Sequence, residues 1–153
     1  MGLALAQQAP ARAEPQAPPP SRAGADGHPS KVEARPSGDS LCRALARAAA
    51  DNGLPVAFLT RLIWLESRFN PYAVSPKGAQ GIAQFMPRTA SERGLTDPFE
   101  PLMALREAAS YLRELRTTFS GNLGLASAAY NAGPGRVAAW LAGRRSLPDE
   151  TRT

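Results

Sequence analysis

Cysteine, histidine and long apolar runs are nearly missing from this sequence, and each shortage closes off a class of function. The 153 residues include one cysteine. Cys42 has no intrachain partner for a disulfide, and its place in an Ala-rich amphipathic stretch predicts a small core residue rather than a reactive thiol. His28 stands alone near the N-terminus, so His and Cys cannot together build a metal site. No apolar run approaches the roughly 18 residues that a membrane-crossing helix needs, so no stable membrane insertion is expected. Aromatic residues make up 7% of the chain, and every Trp, Tyr, Phe and Ile lies beyond residue 40.

That last asymmetry divides the chain. Residues 1–39 are dense in Ala, Gln and Pro and contain hardly any aliphatic side chain after the first few. Such a stretch cannot bury enough apolar surface to offset its ordering entropy, so it reads as a disordered leader or linker. Ala11-Arg12-Ala13 has the small-x-small spacing of a signal-cleavage site, although the basic n-region is missing and the apolar stretch is short. The expectation is an incomplete export signal, hence a periplasmic or extracytoplasmic location. Residues 40–153 are long enough for one domain with its own core.

The formal charge is +5, carried overwhelmingly by arginine. A nucleic acid, an anionic membrane or an anionic wall polymer would each suit a basic chain. The arginines of the domain are scattered along the helices and interleaved with glutamate, with no basic stripe carrying aromatics. They read as solvated helix faces, and no nucleic-acid partner is expected.

Periodicity and punctuation predict a mainly helical domain. Ser40 is a candidate cap for a helix over 41–51, with Leu41, Ala44, Leu45 and Ala48 on one face and Gly53 closing it. Pro55 suits the start of a second helix running to about Phe69, with Leu59, Leu62 and Ile63 at helical spacing and Asn70-Pro71 ending it. A short helix follows over 87–93. The longest, over 101–119, carries Leu102, Leu105, Ala109, Leu112 and Leu115 as its stripe. Two more are expected over 122–132 and from Pro134 to about Gly143, the latter presenting Val137, Trp140 and Leu141. No segment alternates strongly enough for a strand, so any β element must be tiny.

Glu66 is the carboxylate that does not fit a solvated surface. Ile63, Leu62 and Leu59 lie three, four and seven residues before it, which places it on the apolar face of its own helix. Apolar surroundings disfavour a carboxylate's charged form, raise its pKa and let it carry a proton near neutrality. Protonating a glycosidic leaving oxygen requires that property. On position alone, a glutamate satisfied by a helix end or by an arginine such as Arg68 is an equally good reading. The next segment tips the balance. Residues 71–86 form a long Gly/Ser/Gln-rich loop, and no acidic residue occurs between Glu66 and Glu92. The loop offers Asn70, Ser75, Gln80 and Gln84 beside Tyr72 and Phe85: neutral hydrogen-bonding groups next to aromatic faces, as sugars require. Gly78 and Gly81 would let the backbone approach a bulky ligand.

Three blocks then stand in order. They are Glu66-Ser67-Arg68-Phe69-Asn70-Pro71 with Ala73-Val74-Ser75, then Gly78-Ala79-Gln80-Gly81-Ile82-Ala83-Gln84-Phe85-Met86-Pro87 with Thr89-Ala90, and finally Tyr130-Asn131-Ala132-Gly133 with Pro134-Gly135-Arg136-Val137. Together they resemble the soluble lytic transglycosylases of glycoside hydrolase family 23, related to goose-type lysozyme. The resemblance covers about residues 54–140. It implies a lysozyme-like helical domain acting on peptidoglycan glycan strands, with Glu66 as the sole catalytic carboxylate. It also implies that Ser75 helps hold the acetamide or the intermediate, that Gln84 lines the sugar groove, and that Tyr130 stands near Glu66. Asn131 matches the asparagine of its block, where a structural role is equally open. The implied reaction cleaves the MurNAc–GlcNAc β-1,4 bond, with the substrate's own N-acetyl group assisting. Glu66 then takes the proton of the muramyl C6 hydroxyl, which closes a 1,6-anhydro ring. Neither a metal nor a diffusible cofactor enters.

Two departures from the family pattern bear on activity. Gly-Ile-Ala-Gln stands here where relatives usually have Gly-Leu-Met-Gln, so Ala83 removes a bulky side chain and groove packing is expected to differ. Relatives also usually continue past a Glu-Thr-Arg like Glu150-Thr151-Arg152 with a tyrosine and a final helix. Without those, a more open groove and some exposed apolar surface are expected. A catalytically weakened wall-binding scaffold of the same fold and a lysozyme-type muramidase are therefore the alternatives to the enzyme.

Overall fold

The computed structural model describes residues 37–151. The expected leader lies outside these residues except for Ser37, Gly38 and Asp39, and its cleavage site and His28 lie outside them altogether. Helix α1, Gly38–Asp51, begins earlier than Ser40 allows, because Ser37 is the cap: its Oγ accepts from the backbone N–H of Ser40 at 3.2 Å. Ser40 lies inside the first turn, donating its hydroxyl back to the Ser37 carbonyl at 2.7 Å. The earlier start also brings Asp39 into the first turn, where the helix dipole favours an acid. Cys42 is exposed, contrary to expectation. It sits in the opening turns of α1, ahead of the stretch Leu45–Ala49 in which burial begins.

Helix α2, Val56–Ser67, stops two residues short of Phe69. Arg68 and Phe69 both adopt left-handed backbone conformations, with φ of 52° and 62°, and turn the chain out of the helix before Asn70-Pro71 is reached. Helix α3, Pro87–Glu92, starts on its proline. Helix α4, Pro101–Thr118, is capped by Glu100, whose carboxylate accepts from the N–H groups of Leu102 and Met103 at 3.1 and 2.6 Å. Helix α5, Leu123–Ala132, is capped by Asn122 and ends at Gly133, whose φ of 87° suits glycine. Helix α6, Pro134–Leu141, follows at once, and a 3-10 turn covers Asp149–Thr151. Of the α6 residues expected to be apolar contacts, Val137 is buried while Trp140 and Leu141 face solvent.

The long α4 is the axis of the domain, packing against α1 on one side and α5 on another. Ala104, Ala108 and Ala109 are fully buried along it, so neighbouring backbones come close, while Leu105, Leu112 and Leu115 fill the spaces between. Two apolar clusters result. The larger gathers residues of α1, α2, the 68–86 loop and the first half of α4; the smaller joins Leu115 and Phe119 to Ala126, Ala129, Val137 and Leu147. Tyr111 and Tyr130 pack against both clusters. No named strand occurs among the described residues; isolated antiparallel bridges pair Val74 with Gln80 and Gln80 with Phe85. The tiny β element expected from the sequence is this pair of bridges.

Candidate active site

Glu66 closes the last turn of α2. Leu59, Leu62 and Ile63 behind it are buried, so its carboxyl emerges at the rim of the core, as its spacing implied. Burial raises its pKa from 4.5 to about 7. No charge partner contributes to that shift. Arg68, the alternative partner, is exposed and makes no ion pair with Glu66 among the described residues. The carboxyl thus holds its proton to a higher pH than an ordinary glutamate does.

The loop after α2 is held by its own polar groups and by an apolar plug. Ser67 Oγ donates to the Ile82 carbonyl at 2.6 Å, tying the end of α2 to the far side of the loop. Ile82, Ala83 and Phe85 are buried, which anchors that far side in the larger cluster. Ser75 closes a tight turn: its N–H donates to the Ala79 carbonyl at 2.9 Å, and its Oγ accepts from the Ala79 N–H at 3.0 Å. Gln84 sits at φ 52°, and its Nε2 donates to the carbonyls of Ala73 and Gly81 at 3.1 and 2.9 Å. Its amide nitrogen therefore braces the loop, leaving the amide oxygen as its free acceptor. Gly81 serves the protein's own packing rather than a ligand's approach. A Cβ there would collide with the Pro98 carbonyl oxygen, and its φ is +75°. Around Gly78 the space is open, and its φ of +86° alone demands glycine.

Tyr130 rises from α5 under the loop. Its hydroxyl donates to the Ala83 carbonyl at 2.8 Å, and its ring stands between Phe85, at 5.9 Å between centroids, and Tyr111, at 5.6 Å. Burial pushes its phenol well above the ordinary value, with the nearby Glu66 charge adding to the rise. Asn131, next on the helix, is exposed, and its Oδ1 accepts from the Thr151 hydroxyl at 2.8 Å. That bond ties it to the 3-10 turn.

A single groove of about 560 Å³ collects these residues. Glu66, Ser75, Gln84, Tyr130 and Asn131 all line it, from the end of α2, the loop and the end of α5. Its volume lies in the range of small-ligand sites. Glu66 is the one carboxylate lining it among the described residues; Lys77 and Arg136 are the cations. Tyr111, which sequence reasoning passed over, also lines the groove, as do Thr89 and Arg136, which stand in the family blocks but were given no role. Tyr111 had a faint signal, an aromatic one residue before Leu112 on the edge of the α4 stripe. Among the described residues no cluster of three His, Cys, Asp or Glu side chains has the arrangement of a metal site. No helix among them is long and apolar enough to cross a membrane.

Comparison with known proteins gives this geometry a lineage. Residues 43–152 match the family model of the transglycosylase SLT domain. The soluble lytic murein transglycosylase of Salmonella typhimurium is 44% identical over 86 residues, covering 50% of this chain and 13% of that protein. The Escherichia coli K12 protein of the same name is 36% identical over 105 residues, 62% of this chain and 16% of its own length. Among solved structures, an inactive mutant of the lytic transglycosylase Slt from Pseudomonas aeruginosa superposes with a TM-score of 0.62 at 38% identity, covering 72% of this chain and 21% of that one. The 70 kDa soluble lytic transglycosylase of Escherichia coli in complex with bulgecin A gives 0.64 at 31% identity, over 72% of this chain and 21% of its own. The chain therefore spans only a small fraction of these relatives, the part that holds the lysozyme-like helical fold. With the family model matched over most of its length, this chain belongs to the SLT-domain transglycosylase family.

Proposed function

We propose that this chain cleaves the MurNAc–GlcNAc β-1,4 bond of peptidoglycan by a lytic, non-hydrolytic route, with Glu66 as both acid and base. The observation that carries the reading is the carboxyl of Glu66, partly buried and the one carboxylate among the described residues in a groove otherwise lined by neutral, aromatic and basic side chains. Hydrolytic glycosidases of the common types need a second carboxylate, as nucleophile or to activate water. With no second one lining the groove among the described residues, the substrate's N-acetyl oxygen is the available nucleophile for C1. Glu66 gives its proton to the departing GlcNAc oxygen and becomes a carboxylate. That carboxylate then takes the proton of the muramyl C6 hydroxyl, whose oxygen closes on C1 as the acetamide leaves. The product carries a 1,6-anhydro ring, and Glu66 ends the cycle protonated again. A pKa near 7 suits a group that must hold the proton first and accept one next.

Ser75, Gln84, Tyr130 and Asn131 are assigned to substrate positioning. Ser75 and the Gln84 amide oxygen offer hydrogen bonds to acetamide and hydroxyl groups, Tyr130 confines Glu66, and Asn131 lies at the groove edge. Peptidoglycan lies outside the cytoplasm, so the chain acts in the periplasm or another extracytoplasmic space. Digestion of purified sacculi, with products identified by mass spectrometry, tests the reading. Anhydromuropeptides, one water lighter than hydrolytic products, are expected. Reducing-end products would make the protein a muramidase; binding without any release would make it a scaffold. Because the protonated acid starts the reaction, kcat/KM should fall as pH rises through about 7, the value set by burial of Glu66.

A further inference from the structure

Behind the groove wall lies an ionic cluster that the proposed reaction does not use. Arg93, at the C-terminal cap of α3, has a side chain only 14% exposed. Its Nε donates to Glu107 Oε1 at 2.8 Å, and its Nη1 and Nη2 donate to the two oxygens of Glu114, each at 2.9 Å. Glu107, Tyr111 and Glu114 occupy positions i, i+4 and i+7 of α4, so they form one stripe. The Arg93 guanidinium carbon lies 4.4 Å from the centre of the Tyr111 ring. Three hydrogen bonds fix the guanidinium, which lies over one side of Tyr111. The Tyr130 ring, tilted by 46°, packs against Tyr111 as well. Confined by both neighbours, Tyr111 lines the groove with Glu66. Its hydroxyl makes no hydrogen bond to any described residue, and no buried polar side-chain atom among them lacks a partner, so this hydroxyl is open to the groove. Burial also keeps the phenol neutral, a donor throughout the working pH range.

We propose that Tyr111 is a further substrate-contacting residue of the groove and that Arg93 is its positioning residue. This rests on the reading of the groove as a glycan site. The Tyr111 hydroxyl donates to, or accepts from, a sugar hydroxyl or acetamide. The Arg93 fork holds the ring so that this bond needs no reordering when substrate arrives. Lysine is not equivalent in this place: a point charge cannot span Glu107 and both oxygens of Glu114 while staying over the ring.

The experiment is a kinetic double-mutant cycle on the whole chain, using a soluble synthetic GlcNAc–MurNAc tetrasaccharide. Tyr111→Phe should raise KM about three- to tenfold, the worth of one hydrogen bond, with kcat within about twofold of wild type. Arg93→Lys should raise KM by a similar or smaller factor, and should add almost nothing in the Tyr111→Phe background. Arg116→Lys is the stability control. It disturbs another arginine, one that donates to the Gly53 carbonyl away from the groove, and should leave KM unchanged even if the melting temperature drops equally. Binding of the same tetrasaccharide to Glu66→Gln chains carrying each substitution should show the same ranking in Kd. Additive effects, an Arg93→Lys loss confined to melting temperature, or an unchanged KM in Tyr111→Phe would each overturn the proposal. A wild-type chain that neither binds nor cleaves the tetrasaccharide would overturn the reading of the groove, and this proposal with it.

Discussion

Helix α4 and the loop over 68–86 meet at the groove, yet they are held in shape by opposite means. In α4, regular backbone bonds and a stripe of buried Ala and Leu do the work, and every residue adopts an ordinary helical conformation. The loop has left-handed backbone at Arg68, Phe69, Gly78, Gly81 and Gln84. It is fixed instead by the Ser67–Ile82 and Gln84–Ala73 hydrogen bonds and by burial of Ile82, Ala83 and Phe85. A helix tolerates the loss of one contact because its neighbours repeat it. The loop repeats nothing, so each tie that fails should move a groove residue. Stability and function are therefore expected to separate in α4 and to fall together in the loop.

The largest effect should come from the one residue that belongs to neither scheme. Glu66→Gln keeps size and shape but removes the transferable proton. Cleavage of sacculi should drop by about 10⁴-fold or more, since one group performs both the acid and the base step. Near wild-type anhydromuropeptide release from that variant would end the mechanism. Next in size is a pair of substitutions that sets the two regions against each other. Gly81→Ala forces a Cβ onto the Pro98 carbonyl at a positive φ and should cost about 3 kcal/mol or more in denaturant titration, with activity lost alongside. Leu112→Ala, at a fully buried position of α4, should cost a comparable amount, about 2–5 kcal/mol, while KM measured well below the melting temperature stays near wild type. If Leu112→Ala raises KM as much as Gly81→Ala does, the contrast between the regions is wrong.

A smaller effect follows from the raised pKa of Glu66. The folded state holds this proton more tightly than the unfolded chain does. Its charge therefore costs stability that grows as pH rises from about 4.5 through about 7. Glu66→Gln should be more stable than wild type at pH 8, by about 1–3 kcal/mol, and the gap should close below pH 5. A gap independent of pH would mean that the Glu66 pKa is not raised in the folded state. The smallest effects are expected for Ser75→Ala and Tyr130→Phe. Each removes a bond worth about 1 kcal/mol, to the Ala79 N–H and the Ala83 carbonyl respectively, and each should slow cleavage severalfold rather than abolish it.

What was legible in the sequence follows the same division. The helices were readable because Leu59, Leu62 and Ile63, or Leu105, Ala109 and Leu112, repeat at the helical period, and because Pro87, Pro101 and Pro134 mark starts. Glu66 was readable as a charge out of place on an apolar face. The helix ends were read less well. Ser37 and Ser40 are both competent caps, and only the tertiary start point decides between them; nothing local announces that Arg68 and Phe69 turn left-handed. The groove residues Ser75, Gln84, Tyr130 and Asn131 came from the resemblance rather than from spacing, and the structure brings all of them to one groove with Glu66. The Arg93 cluster was invisible for a plain reason. Its partners lie 14 and 21 residues away, on another helix, and no local pattern encodes such a contact.

Among the described residues, Tyr111 and Tyr130 alone pack against both apolar clusters, and the groove follows the seam between them. Glu66 lies on α2, whose buried residues join the larger cluster, and Asn131 and Arg136 lie on α5 and α6, whose buried residues join the smaller one. A glycan held in the groove, as proposed, would therefore also be a splint: gripped from both sides, it would add its binding free energy to whatever already joins the two halves. Heat or denaturant must then strip the sugar before it can part the seam, so occupancy should sharpen unfolding as well as delay it.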